Sequence, residues 1–289
     1  MKLSIITINY NNADGLERTL NSVLEQSYEG IEHIIVDGGS TDDSVGVIKE
    51  YVDKVESRES KVESVVWSSE KDKGVYNAMN KGIKKAKGDY IQILNSGDIL
   101  AGPDVTARMI AALNDAMTSV TDKSLNDEVP IMYGNMIKKD YATGKVIGKS
   151  GEVEYSLRQY YSATLNHDCC YIRRDLFEKY GLYDENLKIV SDWKWFLQVI
   201  GLGKVKPVYA DIDVTIFDAS GISESNLELR NKERRQVLEE VLSPAILADY
   251  DKHAFDAEQM DRLRKRHLYW LVYFIERVLF KLEKWHILQ

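Results

Sequence analysis

The fold of this chain is decided by one stretch of its sequence, Gly88-Asp89-Tyr90-Ile91-Gln92-Ile93-Leu94-Asn95-Ser96-Gly97-Asp98. Residues 90–94 have high strand propensity, and the strand-like run ends abruptly in small and polar residues. In open α/β sheets, ligands bind in the crevice beyond the carboxyl ends of the strands. Asp98 would then lie where a carboxylate can hold a divalent cation against a phosphate. Considered alone, these residues are better explained as an ordinary strand-to-loop turn.

The sequence on either side of this stretch alternates between strand and helix patterns. Apolar runs predict buried strands at residues 3–8, 33–36, 65–67 and 90–94. Helical spacing of apolar residues follows each of them, with a helix starting at Asp14, and Pro103 opens the last of these helices. This order predicts an α/β fold with a mostly parallel central sheet and helices on both faces.

Polar residues follow each predicted strand at its carboxyl end. They are Asn9-Tyr10-Asn11, Asp37, residues 70–74 and residues 95–98. Parallel strands place these ends at one edge of the sheet, so the four groups would converge on a crevice of nucleotide size. This convergence outweighs the simple-turn interpretation of Asp98.

The pattern changes in the second half of the chain. Residues 116–129 are polar and irregular, which predicts a mobile loop. Strand patterns at residues 131–137 and 146–147 predict a hairpin that turns at Thr143-Gly144. Further strands are expected at residues 169–173 and 205–217, with a helix over 193–200 between them. We therefore divide the chain into a first half of the domain at 1–100, a second half at 101–225 and a helical extension at 226–289.

Composition limits the classes of function. The chain has 289 residues and a formal net charge of -8, which argues against a nucleic-acid partner. Its two cysteines, Cys169 and Cys170, are neighbours and no secretory signal precedes them, which favours a reducing cytoplasm. No stretch approaches the roughly 20 apolar residues of a transmembrane helix. We expect a cytoplasmic protein, either soluble or peripheral on the inner face of the membrane.

The C-terminal tail combines basic and apolar residues. Arginine, lysine and histidine at 262–267 precede an apolar run at 268–275, and Arg277, Lys281 and Lys284 alternate with apolar residues after it. A basic amphipathic helix rich in aromatic residues can lie in an anionic membrane interface. The alternative is a terminal helix that packs on the domain or on a second subunit in a homodimer.

Several motifs, in this order along the chain, resemble those of the family 2 glycosyltransferases, whose nucleotide-binding α/β fold is called GT-A. The resemblance covers about residues 3 to 225. The motifs are Ser4-Ile5-Ile6-Thr7-Ile8-Asn9-Tyr10-Asn11-Asn12, Ile35-Val36-Asp37-Gly38-Gly39-Ser40-Thr41-Asp42, Asp72-Lys73-Gly74-Val75-Tyr76-Asn77-Ala78-Met79-Asn80-Lys81-Gly82, residues 94–98 and Ser191-Asp192-Trp193. The resemblance implies a nucleotide-sugar-binding half at 1–100 and an acceptor-binding half at 101–225.

The resemblance also implies roles for residues around the donor. Tyr10 would line the base pocket, and Asp37 would accept from uracil or a ribose hydroxyl, although it could instead cap the next helix. Asp72 and Gly74 would let the chain approach the nucleotide closely. Asp98 would hold Mn²⁺ or Mg²⁺ on the diphosphate. Further substrate contacts are implied for Thr7, Asn80, Asn95 and Ser96.

Asp192 corresponds to the family's catalytic base, which takes a proton from the attacking acceptor hydroxyl. Because it lies at a predicted helix start, the alternative is a helix N-cap. His167 could be an extra metal ligand, could contact the sugar, or could simply be hydrogen-bonded.

Two departures from the family pattern bear on metal binding. The segment Asn95-Ser96-Gly97 lacks the carboxylates that many relatives carry there, and Met79 stands where some relatives have an arginine. Related segments of this kind resemble polysaccharide-assembly transferases. The resulting prediction is an inverting, metal-dependent glycosyltransferase with a nucleotide-sugar donor, UDP being favoured, and a saccharide or lipid-linked acceptor in surface polysaccharide synthesis. The alternatives are a catalytically silent nucleotide-sugar-binding subunit and a sugar nucleotidylyltransferase.

Overall fold

The computed structural model describes residues 1–57, 60–119, 129–141, 143–218 and 226–287. The predicted loop at 116–129 lies mostly outside these residues. Its first four positions belong to a helix instead, because the helical pattern after Pro103 continues to Ser119.

Nine strands form one sheet. They are β1 (Leu3–Asn9), β2 (Ile31–Asp37), β3 (Val62–Ser69), β4 (Tyr90–Ile93), β5 (Ile99–Leu100), β6 (Ile131–Asp140), β7 (Lys145–Lys149), β8 (Cys170–Arg173) and β9 (Val208–Asp218).

Ten α-helices are present in the described parts of the chain. They are α1 (Ala13–Leu24), α2 (Ser44–Glu56), α3 (Val75–Lys85), α4 (Val105–Ser119), α5 (Leu157–Ser162), α6 (Asp175–Tyr180), α7 (Ser191–Phe196), α8 (Leu227–Val241), α9 (Pro244–Lys265) and α10 (Tyr269–Ile287). A π-helical segment, Leu197–Leu202, continues α7, so the predicted helix over 193–200 starts earlier and ends later than expected.

The strand order across the sheet is β3-β2-β1-β4-β8-β6-β9-β5, and β7 pairs with β6. Strands β1 to β4 are all parallel, whereas antiparallel pairs of β8 with β4 and with β6 attach the second half. The fold class, a mostly parallel α/β sheet with helices around it, is confirmed. The predicted hairpin is also present, although Ile137 pairs with Lys149 rather than with residues 146–147.

Both faces of the first four strands are covered. Leu3 and Ile5 of β1 lie in a core cluster with residues of α1, α2 and α4. Ile6 points to the other face, where a Cβ on Gly82 of α3 would lie 2.3 Å from its Cγ2. The continuous apolar runs of β1 and β2 are explained by this double burial.

One helix start and one strand start differ from the predictions. Helix α1 is capped by Asn12, whose side chain accepts from Gly15 N at 3.2 Å, so the helix begins one residue before Asp14. Cys169 belongs to a short 3₁₀ turn and precedes β8, and both cysteines are buried free thiols.

The chain divides into two compact units, residues 1–235 and 236–289. The boundary falls within α8, ten residues later than the predicted boundary at 226. The second unit contains the end of α8 with α9 and α10. Helix α9 begins at Pro244 behind a Ser243 cap and ends before His267, whose φ is 56°.

Candidate active site

The polar ends of the parallel strands meet at one edge of the sheet. Asn9 is in register with Asp37, and Asp37 with Ser69. The backbone N–H of Ser96 donates to Ile8 O at 3.0 Å, which places the segment after β4 beside the end of β1. Four separate sequence segments therefore form one crevice.

Asp37 is fully buried at the centre of this edge. Its carboxylate accepts from Asn9 Nδ2 at 2.8 Å, from Ser69 Oγ at 2.6 Å, and from the hydroxyl and backbone N–H of Ser40 at 2.5 and 2.9 Å. Burial alone would raise the pKa of Asp37, but these hydrogen bonds from Ser40, Ser69 and Asn9 lower it below its usual value. Asp37 does not cap α2, since Asp42 accepts from Ser44 at that helix start.

An aromatic ring and a carboxylate flank the exposed side of the crevice. Tyr10 is 66% exposed, and its ring edge and Asp72 both lie against Gly38. A Cβ on Gly38 would be 2.8 Å from Asp72 Oδ2, so a larger residue there would displace the Asp72 carboxylate. Asp72 Oδ1 accepts from Gly74 N at 3.0 Å, and Gly74 has a φ of 126° with open space around it. This arrangement leaves room for a planar ring against Tyr10.

The segment after β4 is held rigidly by α1. Thr19 Oγ1 accepts from Gly97 N at 2.9 Å and donates to Asp98 O at 2.7 Å. Asn12 Nδ2 donates to Ser96 O at 3.2 Å. Gly97 has a φ of 108°, which favours glycine there. Asp98 is thus fixed in a nearly buried position at the crevice.

The residues here supply few protein ligands for a cation. Among the described residues, no group of three or more histidine, cysteine, aspartate or glutamate side chains could hold a metal ion. However, Asp98 offers a carboxylate, and Asn95 Oδ1 is a buried oxygen without a hydrogen-bond partner. Mg²⁺ sites of this type use one or two protein oxygens and take the rest from substrate phosphates and water. The oxygen donors therefore fit Mg²⁺ or Mn²⁺ held mainly by a diphosphate.

Asp192 lies in the first turn of α7 and points into the crevice. Its Oδ1 accepts from Tyr76 Oη at 2.8 Å, and its Oδ2 lies 3.1 Å from His167 Nδ1. The N-cap of α7 is Val190, with no side-chain cap, so the predicted alternative of a capping role for Asp192 is wrong. The carboxylate remains 16% exposed, which leaves it accessible to a substrate hydroxyl.

The neighbours of Asp192 keep it ionised. Burial would raise its pKa, but the hydrogen bond and charge of His167 and the hydrogen bond from Tyr76 lower it. Burial would likewise lower the pKa of His167, yet its contact with Asp192 and the charges of Asp168 and Asp98 raise it. The carboxyl group of Asp192 is therefore held in its ionised form.

His167 connects the proton acceptor to the end of β4. Its Nε2 lies 3.1 Å from Asn95 Nδ2, so a neutral imidazole accepts from this amide. A protonated imidazole would donate from Nε2 and would need Asn95 Oδ1 as its acceptor. Protonation of His167 would therefore require the side-chain amide of Asn95 to turn over. Both ring nitrogens thus have protein partners, which favours the hydrogen-bonded alternative over metal ligation.

Two predicted substrate contacts lie away from the crevice. Thr7 is fully buried and bonds to His33 Nε2 at 2.9 Å. Asn80 is also buried, and its amide bonds to both backbone groups of Tyr183 and to Glu185. The geometry favours structural roles for both residues, and their roles as substrate contacts remain predictions.

Sequence reasoning missed several residues that shape the site. Tyr76 lies within a quoted motif, but only the fold brings it to Asp192. Ser69 ends β3 in register with Asp37, and only the pairing of β2 with β3 brings the two together. Thr19 had no signal, because it occupies an ordinary interior position of α1.

An α/β sheet with carboxylates at the ends of its parallel strands is typical of Rossmann-like, nucleotide-binding folds. Residues 4–181 match the sequence profile described as glycosyl transferase family 2, and the chain belongs to this family. The protein is a glycosyltransferase.

Similar proteins agree with this assignment. An uncharacterized glycosyltransferase of Mycobacterium tuberculosis is 32% identical over 226 residues, which cover 76% of each chain. The crystal structure of S. aureus TarS 1-349 in complex with UDP-GlcNAc matches 89% of this chain and 73% of that one, with a TM-score of 0.61 and 20% identity. The mannosyltransferase PcManGT from Pyrobaculum calidifontis, in complex with GDP-Man and Mn²⁺, matches 81% of this chain and 60% of its own, with a TM-score of 0.55 and 17% identity. These two structures show that the fold is shared.

Proposed function

We propose that this glycosyltransferase moves a sugar with inversion from a UDP-linked donor to a saccharide or lipid-linked acceptor in the synthesis of a surface polysaccharide. The observation that carries the proposal is the placement of Asp192. Its ionised carboxylate lies in the same crevice as Asp98 and accepts a hydrogen bond from Tyr76. Tyr76 belongs to α3, the helix on the side of the site that carries Tyr10 and Asp72.

The donor would bind along the strand ends. Its base would stack on the exposed Tyr10 ring beside Asp72, and Gly38 and Gly74 would allow the backbone to approach it. The hydrogen-bonded turn at Asp37 and Ser40 would face the ribose. The complex of TarS with UDP-GlcNAc supports a uridine nucleotide, because it matches more of this chain, and with a higher TM-score, than the GDP-Man complex of PcManGT.

Asp98 and Asn95 would hold Mn²⁺ or Mg²⁺ against the diphosphate. When bound, the cation offsets negative charge on the departing nucleoside diphosphate. The Mn²⁺ in the complex of PcManGT supports this choice.

Asp192 would act as the general base. The acceptor hydroxyl gives its proton to the carboxylate while its oxygen bonds to the anomeric carbon. The bond from that carbon to the phosphate oxygen breaks on the opposite face, and this produces inversion. Tyr76 and His167 hold the carboxylate in position and stabilise its charge until the proton arrives.

The test is a panel of nucleotide sugars measured with and without Mn²⁺. We expect UDP-sugars to bind with a Mn²⁺-dependent gain and to hydrolyse slowly to free sugar and UDP. Binding without any hydrolysis would favour the silent subunit, and release of pyrophosphate from UTP and a sugar phosphate would favour the nucleotidylyltransferase.

We also propose that the second unit binds an anionic membrane surface from the cytoplasmic side. No helix in the described residues is long and apolar enough to cross a membrane. However, α10 exposes large apolar side chains, among them Trp270, Phe274 and Phe280 at 60% or more. The basic residues at 262–267 precede them and are exposed where described. Basic residues next to exposed aromatic side chains suit an interface with anionic headgroups.

A further inference from the structure

Strand β9 presents an unusual row of side chains on one face of the sheet. Its residues 208, 210, 212 and 214 pack against the main core cluster. Because side chains alternate along a strand, Tyr209, Asp211 and Asp213 point to the opposite face, where all three gather around Asn135. This is the face that carries Tyr133 of β6, since Met132 belongs to the core cluster.

A buried amide arranges these side chains. Asn135 Nδ2 donates to Asp211 Oδ1 at 2.9 Å and to Asp213 Oδ1 at 3.1 Å, while Asn135 Oδ1 accepts from Tyr209 Oη at 2.8 Å. Lys149 Nζ lies 2.6 Å from Asp213 Oδ1. These contacts hold the polar side chains in fixed orientations in the absence of a ligand. Such preorganisation lowers the entropic cost of ligand binding.

An aromatic cavity lies at one end of this row. It has a volume of about 370 Å³ and is lined by Tyr133, residues 152–155, Lys206 and Pro207. Tyr133 forms its floor, and its ring centroid is 5.3 Å from that of Tyr209. Tyr155 is 46% exposed at the rim. We call the row and this cavity together the β9 groove.

The β9 groove is connected to the catalytic base. Thr215 Oγ1 donates to Asp168 Oδ2 at 2.6 Å, and Asp168 is the neighbour of His167, which contacts Asp192. At the other side, α5 begins directly after Tyr155 and Ser156, and its Tyr160 O accepts from Trp193 Nε1 at 2.8 Å. These buried contacts tie both ends of the β9 groove to residues that position Asp192.

The chemistry of the groove favours an uncharged sugar chain. Tyrosine faces suit the apolar faces of sugar rings, and carboxylate and amide oxygens accept from sugar hydroxyls. Four carboxylates at positions 152, 154, 211 and 213 face two lysines at 149 and 206. This excess of negative charge disfavours phosphorylated or uronic acid polymers. The strand from Tyr209 to Asp213 alone spans about 13 Å, which exceeds a single sugar ring.

We propose that the β9 groove binds the acceptor as a neutral oligosaccharide of several sugar units, so that the enzyme extends a growing chain rather than adding a first sugar. This inference rests on the proposed transfer to a saccharide acceptor and defines the class of that acceptor.

The experiment measures direct binding of sugar ladders to the full-length protein by saturation-transfer NMR and calorimetry, without a donor. The probes are neutral gluco-, N-acetylgluco-, galacto- and manno-oligosaccharides of one to six units, with oligogalacturonates of equal length as the anionic series. We expect affinity for at least one neutral ladder to rise with length. Tyr155→Ala should weaken that binding roughly tenfold, because a stacked ring contributes on that order.

Tyr155→Phe is the matched control, because it keeps the ring and should retain binding. Asp211→Asn is a second variant on the exposed surface and should narrow the preference for neutral over anionic ladders. The proposal is overturned if no neutral ladder binds, if affinity does not rise with length, if Tyr155→Ala has no effect, or if the anionic ladder binds better. UDP binding is measured on the wild type and on the same variants. A wild-type protein that does not bind UDP would refute the proposed donor, whatever the result with the sugar ladders.

Discussion

Tyr76 Oη donates to Asp192 Oδ1 across 2.8 Å, and this bond joins α3 of the first half to α7 of the second. The bond therefore links the side proposed for the nucleotide to the side proposed for the acceptor, at the carboxylate proposed as the base. Burial and the adjacent Asp192 charge raise the pKa of Tyr76 well above its ordinary value, so the phenol stays a donor.

Asp192→Asn should nearly abolish transfer. The amide keeps an oxygen for Tyr76 but loses the basicity, and general-base catalysis typically supplies 10²–10⁴-fold in rate. UDP affinity by calorimetry should stay close to wild type. Tyr76→Phe is the control, because it removes only the positioning bond and should cost much less turnover. Wild-type hydrolysis and transfer rates in Asp192→Asn would remove Asp192 from the role of base.

Asp98→Asn should weaken UDP binding in Mn²⁺ and leave binding without metal unchanged. The reason is that Asp98 is the carboxylate nearest the expected diphosphate position on the β4 segment. Calorimetry with Mn²⁺ and with EDTA measures the difference. Asp53→Asn is the matched control, because it removes an exposed carboxylate of α2 that lies away from the strand ends. Equal Mn²⁺ gains in wild type and Asp98→Asn would contradict the assignment.

Asp37→Asn should destabilise the protein by about 3 kcal/mol near neutral pH, because several donors lose a charged acceptor. The pKa of Asp37 is lowered in the folded state, so its stabilisation is complete above the ordinary pKa of about 4 and is lost as pH falls through the lowered value. Denaturant unfolding at a series of pH values should show the gap between wild type and variant closing only in acid. If the difference in unfolding free energy between wild type and Asp37→Asn stayed constant from neutral to acid pH, the charge of Asp37 would not be the source of the stabilisation.

Asn80→Ala tests whether this residue binds substrate or holds the loop before α7. We expect a loss of about 2 kcal/mol in unfolding free energy, because buried backbone groups of Tyr183 lose their partners. UDP affinity measured at a temperature where the variant is folded should not change. A stable variant with weakened UDP binding would establish the substrate role instead.

Lys265→Glu with Arg266→Glu should release the protein from anionic liposomes at low salt. Each basic residue near such a surface contributes about 1 kcal/mol, and salt screens it. Lys49→Glu with Lys145→Glu changes the net charge equally at exposed positions of the first unit and should leave liposome binding intact. Co-sedimentation gives the bound fraction, and sedimentation velocity reports the oligomer. Indifference to liposomes, or loss of a dimer on substitution, would identify the tail as a protein contact.

The sequence by itself determined the order of elements and the edge that carries the site. Apolar runs of three to six residues alternate with segments of helical spacing, and this alternation predicts a parallel sheet with helices on its faces. The polar residues after β1, β2 and β4 were therefore expected to lie at the same edge of the sheet. Asp37, Asp98 and Asp192 could be selected from their motifs because each lies at a strand end or helix start.

The tertiary structure alone decided which partner each side chain has. Asp192 contacts Tyr76 and His167, residues 116 and 25 positions away, and no local periodicity encodes such distances. The same holds for Asn80, whose motif position suggests substrate but whose amide is used by the Tyr183 backbone. The capping of α1 by Asn12 and the row of polar residues along β9 also depend on register and strand neighbours. Long-range packing sets these contacts, because burial requires every polar group to find a partner wherever the fold provides one.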